Sequence, residues 1–434
     1  MLGLLGVNAV LIVGMWVRHG GLSTLNGASG DLTAAGELTA LLGTYAALVQ
    51  LLLMSRSPFV ERLAGLDRLA HWHRWLGFSC VVLICGHVVL TTAGYALGDG
   101  SSFASETWTL LTTYPWVLMA AGGTVCLLMV AVTSVRAARR RLRYETWHFV
   151  HLYAYLAIAL SLGHELAVGN DLSADPVARA YWIALYVAVA GCVLAFRVGH
   201  PVRLALRHRL RVAEVVPEAA GVVSVYVVGR DLERLRARAG QYFRWRFLAG
   251  DGWWKAHPFS LSAAPNPRFL RLTVKAVGDG SGDVQRLVPG TRVVVEGPYG
   301  IFTAQRRRRS GVLLIAGGVG ITPLRALLEE LGGHAAVTLV YRARSWDDVL
   351  FRAEIDQLAT ARRITVHYLV GRRGSDGPGR DPLSARALRT LVPDVAQRDV
   401  FVCGPPGMVT GVRETLRELR VPDAQIHHER FGLL

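Results

Sequence analysis

Apolar and polar positions change their rhythm twice along the 434 residues. The first half holds six apolar stretches separated by short polar loops. They read as membrane spans over 2–17, 33–54, 75–97, 112–134, 146–166 and 179–199. Most reach the roughly 20 residues that a bilayer core requires of a helix. The first is short, but it lacks the basic leading segment and small-residue cleavage site of a signal peptide and is expected to be a real span. After about residue 205 the pattern becomes short alternating strands with Gly/Pro turns, among them Val222–Val228, Gln241–Phe247, Phe269–Lys275 and Thr291–Glu296. That spacing suits a small antiparallel barrel. From about 311, apolar runs alternate with helical segments. Val312–Ala316, Val337–Tyr341, Ile364–Leu369 and Val400–Cys403 read as buried parallel strands of a doubly wound sheet. The expected architecture is a membrane α-helical bundle over 1–203, a β-barrel over 204–307 and an α/β nucleotide-binding domain over 308–434.

Composition narrows the class. With 52% hydrophobic and 18% charged residues, the chain is neither disordered nor a purely soluble enzyme, which would carry about a quarter charged residues. The net charge of +16 invites a nucleic-acid reading until its distribution is considered. Arg56, Arg62, Arg68 and Arg74 lie between spans two and three, Arg136, Arg139, Arg140, Arg141 and Arg143 between four and five, and Arg197, Arg203, Arg207, Arg209 and Arg211 after six. The alternate loops carry Asp31 and Glu37, then Asp99 and Glu106, then Glu165, Asp171 and Asp175. This is the positive-inside pattern of a multi-pass plasma-membrane protein, with everything after span six in the cytoplasm. The basic charge is topological, and no nucleic-acid partner is expected; Arg306 to Arg309 read as a solvated linker. Five scattered cysteines without a CxxC pair form neither a disulfide framework nor a zinc site.

Ionisable residues inside spans default to function. Span three carries His71, His73 and His87, and span five carries His148, His151 and His164. His73 and His87 are 14 residues apart, four near-complete turns, so both point to one face roughly 21 Å apart. His151 and His164 are 13 apart, which turns the second ring well away on an ideal helix, and Gly163 is the expected place for a corrective distortion. Spans three and five run in the same direction, so His73 can face His151 on the cytoplasmic side and His87 can face His164 on the outer side. Two imidazoles from facing helices are the natural axial pair for a haem. His71 and His148 remain competitors for the inner position.

His257-Pro258-Phe259-Ser260 lies on a barrel strand and can pass its backbone and the Ser260 hydroxyl along a flat ring system. Gly240-Gln241-Tyr242-Phe243 and Glu296-Gly297-Pro298-Tyr299-Gly300 accompany such a strand in flavin barrels, and Lys275 can pair with a pyrophosphate. Ala316-Gly317-Gly318-Val319-Gly320-Ile321-Thr322-Pro323 follows a strand and opens a helix, where glycines let the backbone approach a pyrophosphate. Cys403-Gly404-Pro405-Pro406 ends a later strand, where ligands bind in doubly wound sheets. Arg342 and Arg344, past the strand ending at Tyr341, can fork onto an adenosine 2′-phosphate, which favours NADPH over NADH.

HPFS, GGVGITP and CGPP in this order, behind histidine pairs 14 and 13 apart, resemble the NADPH oxidase and ferric reductase superfamily over nearly the whole chain. The resemblance implies a di-haem bundle followed by a ferredoxin-reductase-like FAD domain and an NADPH domain. It implies haem ligands at His73, His87, His151 and His164, and flavin contacts at His257, Pro258, Phe259, Ser260 and Lys275. Nucleotide contacts fall on Gly317, Gly318, Gly320, Thr322, Pro323, Arg342, Arg344, Cys403 and Gly404, with Ser260, Cys403 and Phe431 at the reacting rings. No EF-hand loop occurs, and the further histidine that the animal oxidases place four residues after the outer ligand is Thr91 here. The implied reaction takes electrons from cytoplasmic NADPH through FAD and two b-type haems to an outer acceptor. Oxygen, giving superoxide, is expected, with Thr91 as the polar group beside it; ferric chelates are the alternative. A flavin reductase merely tethered by its helices would leave the histidine pairs without purpose.

Overall fold

A computed structural model describes residues 2–139, 141–142, 144–168, 175–331, 335–371 and 381–430. Asp171, Arg140, Arg143 and Phe431 of the sequence expectations lie outside them. The chain divides into two units, Met1–Arg197 and Val198–Leu434.

The apolar unit is helical: α1 Leu2–Arg18, α2 Ala28–Leu53, α3 Pro58–Ala64, α4 Leu66–Asp99, α5 Phe103–Thr113, α6 Val117–Ser134, α7 Arg136–Arg139, α8 Tyr144–His151, α9 Tyr153–Val168 and α10 Pro176–Leu194. Among the described residues five helical runs are long and apolar enough to cross a bilayer, and the first helix is a shorter apolar one. The expectation of six full-length spans is corrected to that extent. The residues before 117 belong to the separate α5, because Tyr114 and Trp116 interrupt the helix, Trp116 with a φ of 67°. Helix α4 starts at Leu66 and its candidate span at Arg68, so His71 and His73 lie in the first turns of that span.

Lipid tails give no hydrophobic force between helices, so close packing has to hold them together. Helices α2 and α4 meet through glycine. A Cβ on Gly36 would lie 2.3 Å from Thr91 Oγ1, one on Gly43 2.7 Å from Ile84 Cδ1, and one on Gly94 2.4 Å from Thr33 Oγ1. Polar groups are answered internally: Thr44 Oγ1 and Tyr186 OH donate to the two carboxylate oxygens of Glu165, at 2.9 and 2.7 Å, tying α9 to α2 and α10. Glu165, expected in an outer loop, therefore belongs to the bundle interior. Glu106 is likewise buried and accepts from Ser101 Oγ at 3.1 Å.

The second unit opens with α11 His200–His208. Strands β1 Arg211–Ala219, β2 Val222–Val228, β3 Tyr242–Phe247, β4 His257–Ser260, β5 Leu270–Lys275 and β6 Val293–Tyr299 form two three-stranded antiparallel sheets, β1-β2-β5 and β4-β3-β6. Single bridges, Arg211 to Arg292 and Leu261 to Leu272, join them at both edges. They share a core that includes Val225, Phe243, Trp245 and Leu272. Short α12 spans Asp279–Val284. Then β7 Gly311–Gly317, α13 Ile321–Leu331, β8 Ala336–Ala343, α14 Arg352–Arg362, β9 Thr365–Val370, α15 Ala385–Leu391, β10 Asp399–Gly404, α16 Pro406–Glu418 and β11 Ile426–Arg430 build a parallel sheet in the order β11-β10-β7-β8-β9. The apolar runs read from sequence are the central strands β10, β7 and β8 and the edge strand β9. Polar β11, Ile-His-His-Glu-Arg, is an edge strand that no apolar pattern announces.

A buried ion cluster joins the antiparallel sheets to the parallel one. Arg271 of β5 donates to both oxygens of Glu354 at 2.8 and 3.0 Å, and Arg325 of α13 lies 2.7 Å from Glu354 and 2.6 Å from Glu329. Burial would raise the Glu354 carboxyl, but the bonds and charges of Arg271 and Arg325 outweigh it and hold it below its ordinary value. A depressed carboxyl contributes stability above its unfolded pKa, which is lost as pH falls through the folded value. Glu354→Gln should thus destabilise the protein at pH 7 by about 1–3 kcal/mol, less than for a fully buried partner because about a third of Glu354 meets water. Melting curves from pH 7 to pH 3.5 check this: the wild-type advantage should shrink below about pH 4.5, and a constant difference contradicts it.

Candidate functional site

Inside the apolar unit the histidines of α4 meet those of α8 and α9. Ring centroids of His73 and His151 are 5.9 Å apart, and those of His87 and His164 6.3 Å. The 13-residue spacing is accommodated by a break at Leu152, between α8 and α9, whose N–H still reaches the carbonyls of His148 and Phe149. Gly163 is not the place of distortion. It lets the Trp116 ring approach, 2.7 Å from where its Cβ would stand. His71 accepts from the Trp75 indole N–H at 3.1 Å, which sets it apart from the inner pair.

The residues present fit a metal between each pair. A metal bonded at about 2.0–2.1 Å to one nitrogen of each ring separates the centroids by about 6–6.5 Å. Ligating imidazoles hold their other ring nitrogen in a hydrogen bond. His87 Nδ1 donates to the Gly36 carbonyl at 3.0 Å and lies 3.2 Å from Thr91 Oγ1, leaving Nε2 for a ligand. His151 Nδ1 is 3.4 Å from Ser134 Oγ, and its ring stacks on Trp147 at 5.0 Å. The Nδ1 of His164 is buried without a hydrogen bond. Beside α9 an apolar cavity of about 300 Å³ is lined by Leu48, Tyr155, Ile158, Leu162 and Val189. Thr91 lies one turn beyond His87 as expected, 3.2 Å from its Nδ1, with Gly36 of α2 packed against it.

In the second unit β3 alternates strictly. Phe243, Trp245 and Phe247 enter the core, while Tyr242, Arg244 and Arg246 face outward. Its neighbour β4 carries the HPFS residues, with Tyr242 opposite Ser260 and Arg244 opposite Pro258. Ser260 and Pro258 thus share the outward face with Tyr242 and Arg244. His257 stacks beside Phe259, their centroids 6.0 Å apart, and the Trp245 indole donates to the Phe259 carbonyl at 2.9 Å. Burial, with Lys255 and Arg244 nearby, lowers the His257 pKa, so the ring is neutral at pH 7. Lys275 is exposed at the end of β5 in the other sheet.

The nucleotide signals converge where the parallel sheet reverses its order, between β7 and β10, which is where ligands enter such folds. Gly317 ends β7, Gly318 turns with a φ of 53°, and α13 starts at Ile321. A Cβ on Gly320 would stand 2.3 Å from the Cys403 carbonyl, so glycine is required where the two loops meet. Thr322, buried, donates to the Val319 carbonyl at 3.0 Å, and Pro323 is buried beside it. Gly404 lies against Gly317. Cys403 is fully buried, and burial plus the neighbouring Glu429 carboxylate pushes its thiol well above the ordinary value, so it remains a neutral thiol. Glu429, its register partner on β11, escaped the sequence reading because that strand was not foreseen.

Three family matches follow the same order: a ferric reductase like transmembrane component over residues 39–162, an FAD-binding domain over 208–303 and an oxidoreductase NAD-binding domain over 314–414. Ferredoxin–NADP reductase B of Sorangium cellulosum is 35% identical over 188 residues, 40% of this chain and 77% of that protein. The flavohaemoprotein of Chromobacterium violaceum is 33% identical over 244 residues, 51% of this chain and 60% of that protein. Among solved structures, the FAD/NAD-binding domain of nitric oxide dioxygenase from Vibrio cholerae shares 27% identity at a TM-score of 0.44, over 52% of this chain and all of that one. Fold and site define a membrane flavin-dependent NAD(P)H oxidoreductase. Within that class, the chain belongs to the NADPH oxidase and ferric reductase superfamily, with its transmembrane, FAD-binding and NAD-binding parts in the family's order.

The two arginines past Tyr341 part company in the structure. Arg342 donates to the carbonyls of Ala343 and Leu369, at 3.2 and 2.9 Å, while Arg344 is exposed just beyond β8. A guanidinium reaching a 2′-phosphate contributes about 1.5–3 kcal/mol. Arg344→Ala should therefore raise the KM for NADPH about tenfold or more and leave that for NADH nearly unchanged. Arg342→Ala should not discriminate between the two. Steady-state kinetics with both nucleotides check this, and equal effects of Arg344→Ala on both remove the role.

Proposed function

We propose that the protein carries electrons from cytoplasmic NADPH, through FAD and two b-type haems, to an acceptor beyond the plasma membrane, with O₂ reduced to superoxide. The observation that carries this reading is the pair of histidine contacts, 5.9 and 6.3 Å between centroids, at two levels of α4, one facing α8 and the other α9. His73 and His151 hold the inner haem and His87 and His164 the outer one. When bound, FAD takes an electron pair from the nicotinamide and hands on single electrons, which the haems conduct across the apolar layer.

The chain's own residues position these groups within 1–203, 204–307 and 308–434 respectively. Gly36 and Thr91 fix the His87 ring through Nδ1, and Ser134 with Trp147 does so for His151. Ser260 aligns the flavin ring, Lys275 meets its pyrophosphate and Phe431 covers it. Gly317, Gly318, Gly320, Thr322 and Pro323 admit the nucleotide diphosphate at the start of α13, while Gly404 and the neutral Cys403 thiol border the nicotinamide. A protonated thiol is no nucleophile, so Cys403 acts by contact and not by covalent chemistry. The outer loops carry Asp99 and Asp175 with few cations, which favours oxygen over an anionic chelate.

Purified wild type, His87→Ala and His164→Ala, assayed with NADPH in air and under argon with ferric citrate, test the reading. Wild type should consume NADPH in air with dismutase-sensitive superoxide. Both variants should lose one haem per chain and outer acceptor reduction, while NADPH still reduces a soluble dye. Variants that keep two haems contradict the ligand assignment. Turnover with ferric citrate under argon far above that in air, without superoxide, replaces oxygen by ferric chelate as the acceptor.

A further inference from the structure

Arg244 is out of balance with its surroundings. It projects from the outward face of β3 with Tyr242 and Arg246, between Pro258 of β4 and Glu296 of β6. The nearby carboxylate does not serve it: Glu296 lies 3.3 Å from Arg246 Nη2, and Arg246 also donates to the Trp254 carbonyl at 3.2 Å. Buried Arg271 and Arg325 share the Glu354 cluster, Arg398 pairs with Asp394, and half-buried Arg342 donates to two carbonyls. No hydrogen bond or ion pair joins Arg244 to any described residue.

An arginine cannot shed its proton to escape burial. A partly desolvated guanidinium with no anion is unfavourable by several kcal/mol in the limit of full burial. Its ordinary pKa is pulled down by burial first, and also by the neighbouring Arg246 charge, while Tyr299 opposes. Its side chain is only half-buried and keeps some exposure on that outward face. That face is the one Ser260 shares. Along a strand, two residues span about 7 Å, so the Arg244 backbone lies about that far from the Tyr242–Ser260 pair.

We propose that Arg244 is an anion anchor of the flavin site, taking a negatively charged group of the bound nucleotide on its forked N–H donors. The proposal deepens, and rests on, the reading of the HPFS strand as the flavin platform. FAD carries two groups of that chemistry: the diphosphate, and the ring edge that gains negative charge on reduction. Forked donors suit either, since both present two oxygen or nitrogen acceptors side by side.

Full-length Arg244→Met and Arg244→Lys in detergent, freed of flavin and titrated with FAD and with riboflavin, test it. Arg244→Met should weaken FAD at least tenfold, with Arg244→Lys recovering part of the loss; riboflavin affinity unchanged by the substitution then assigns the diphosphate. Unchanged FAD affinity with a midpoint potential lowered by about 30 mV or more, the equivalent of tenfold for a two-electron couple, assigns the ring edge. Flavin-free Arg244→Met should melt no lower than flavin-free wild type, since no protein partner is lost. Unchanged FAD affinity together with an unchanged potential overturns the proposal, as does a flavin-free variant destabilised as much as the loaded one. Wild type that binds no flavin overturns the platform reading and the proposal together.

Discussion

Within the apolar unit, polar side chains have to find partners inside the protein, because hydrocarbon offers none. That constraint organises the bundle. Glu165 is answered by Thr44 and Tyr186, Trp16 Nε1 by Glu37, and His87 Nδ1 by the Gly36 carbonyl. Each of these bonds joins different helices, so meeting the polar groups also sets how the helices are turned. The rotation of α4, α8 and α9 that results brings four imidazoles into two facing pairs. Gly36 is central here: with a side chain, α2 could not come close enough for its carbonyl to reach His87.

In the second unit the same demand is met with charge. The Glu354 cluster holds the flavin-type sheets against the nucleotide sheet through two arginines, and the Ser262 carbonyl takes a further bond from Arg271 at 2.8 Å. The crevice between β7 and β10 depends on small residues, because Gly317, Gly320 and Gly404 bring loops together at distances that a Cβ would forbid.

What could be read from the sequence follows from how local each signal is. The histidine pairing was legible because a 14-residue spacing is a property of one helix. The Leu152 break was not, since nothing at that leucine distinguishes it from its neighbours. HPFS was legible as a strand and GGVGITP and CGPP as segments at strand ends, and the strands β2, β5, β7 and β8 fall close to their apolar runs. Glu165 was misplaced because its helix was known, but the facing helices that supply Thr44 and Tyr186 were not. Arg244 was passed over because alternation shows that it points outward without showing that its neighbour Glu296 is already engaged.

The most direct measurement is haem content and redox state of the purified wild-type chain. Pyridine haemochrome analysis should give two b-type haems per polypeptide. Under argon, NADPH should reduce both, with flavin present in equal amount to protein. Protein that folds and reduces a soluble dye with NADPH, yet carries no haem between its paired histidines, would contradict the transmembrane electron path.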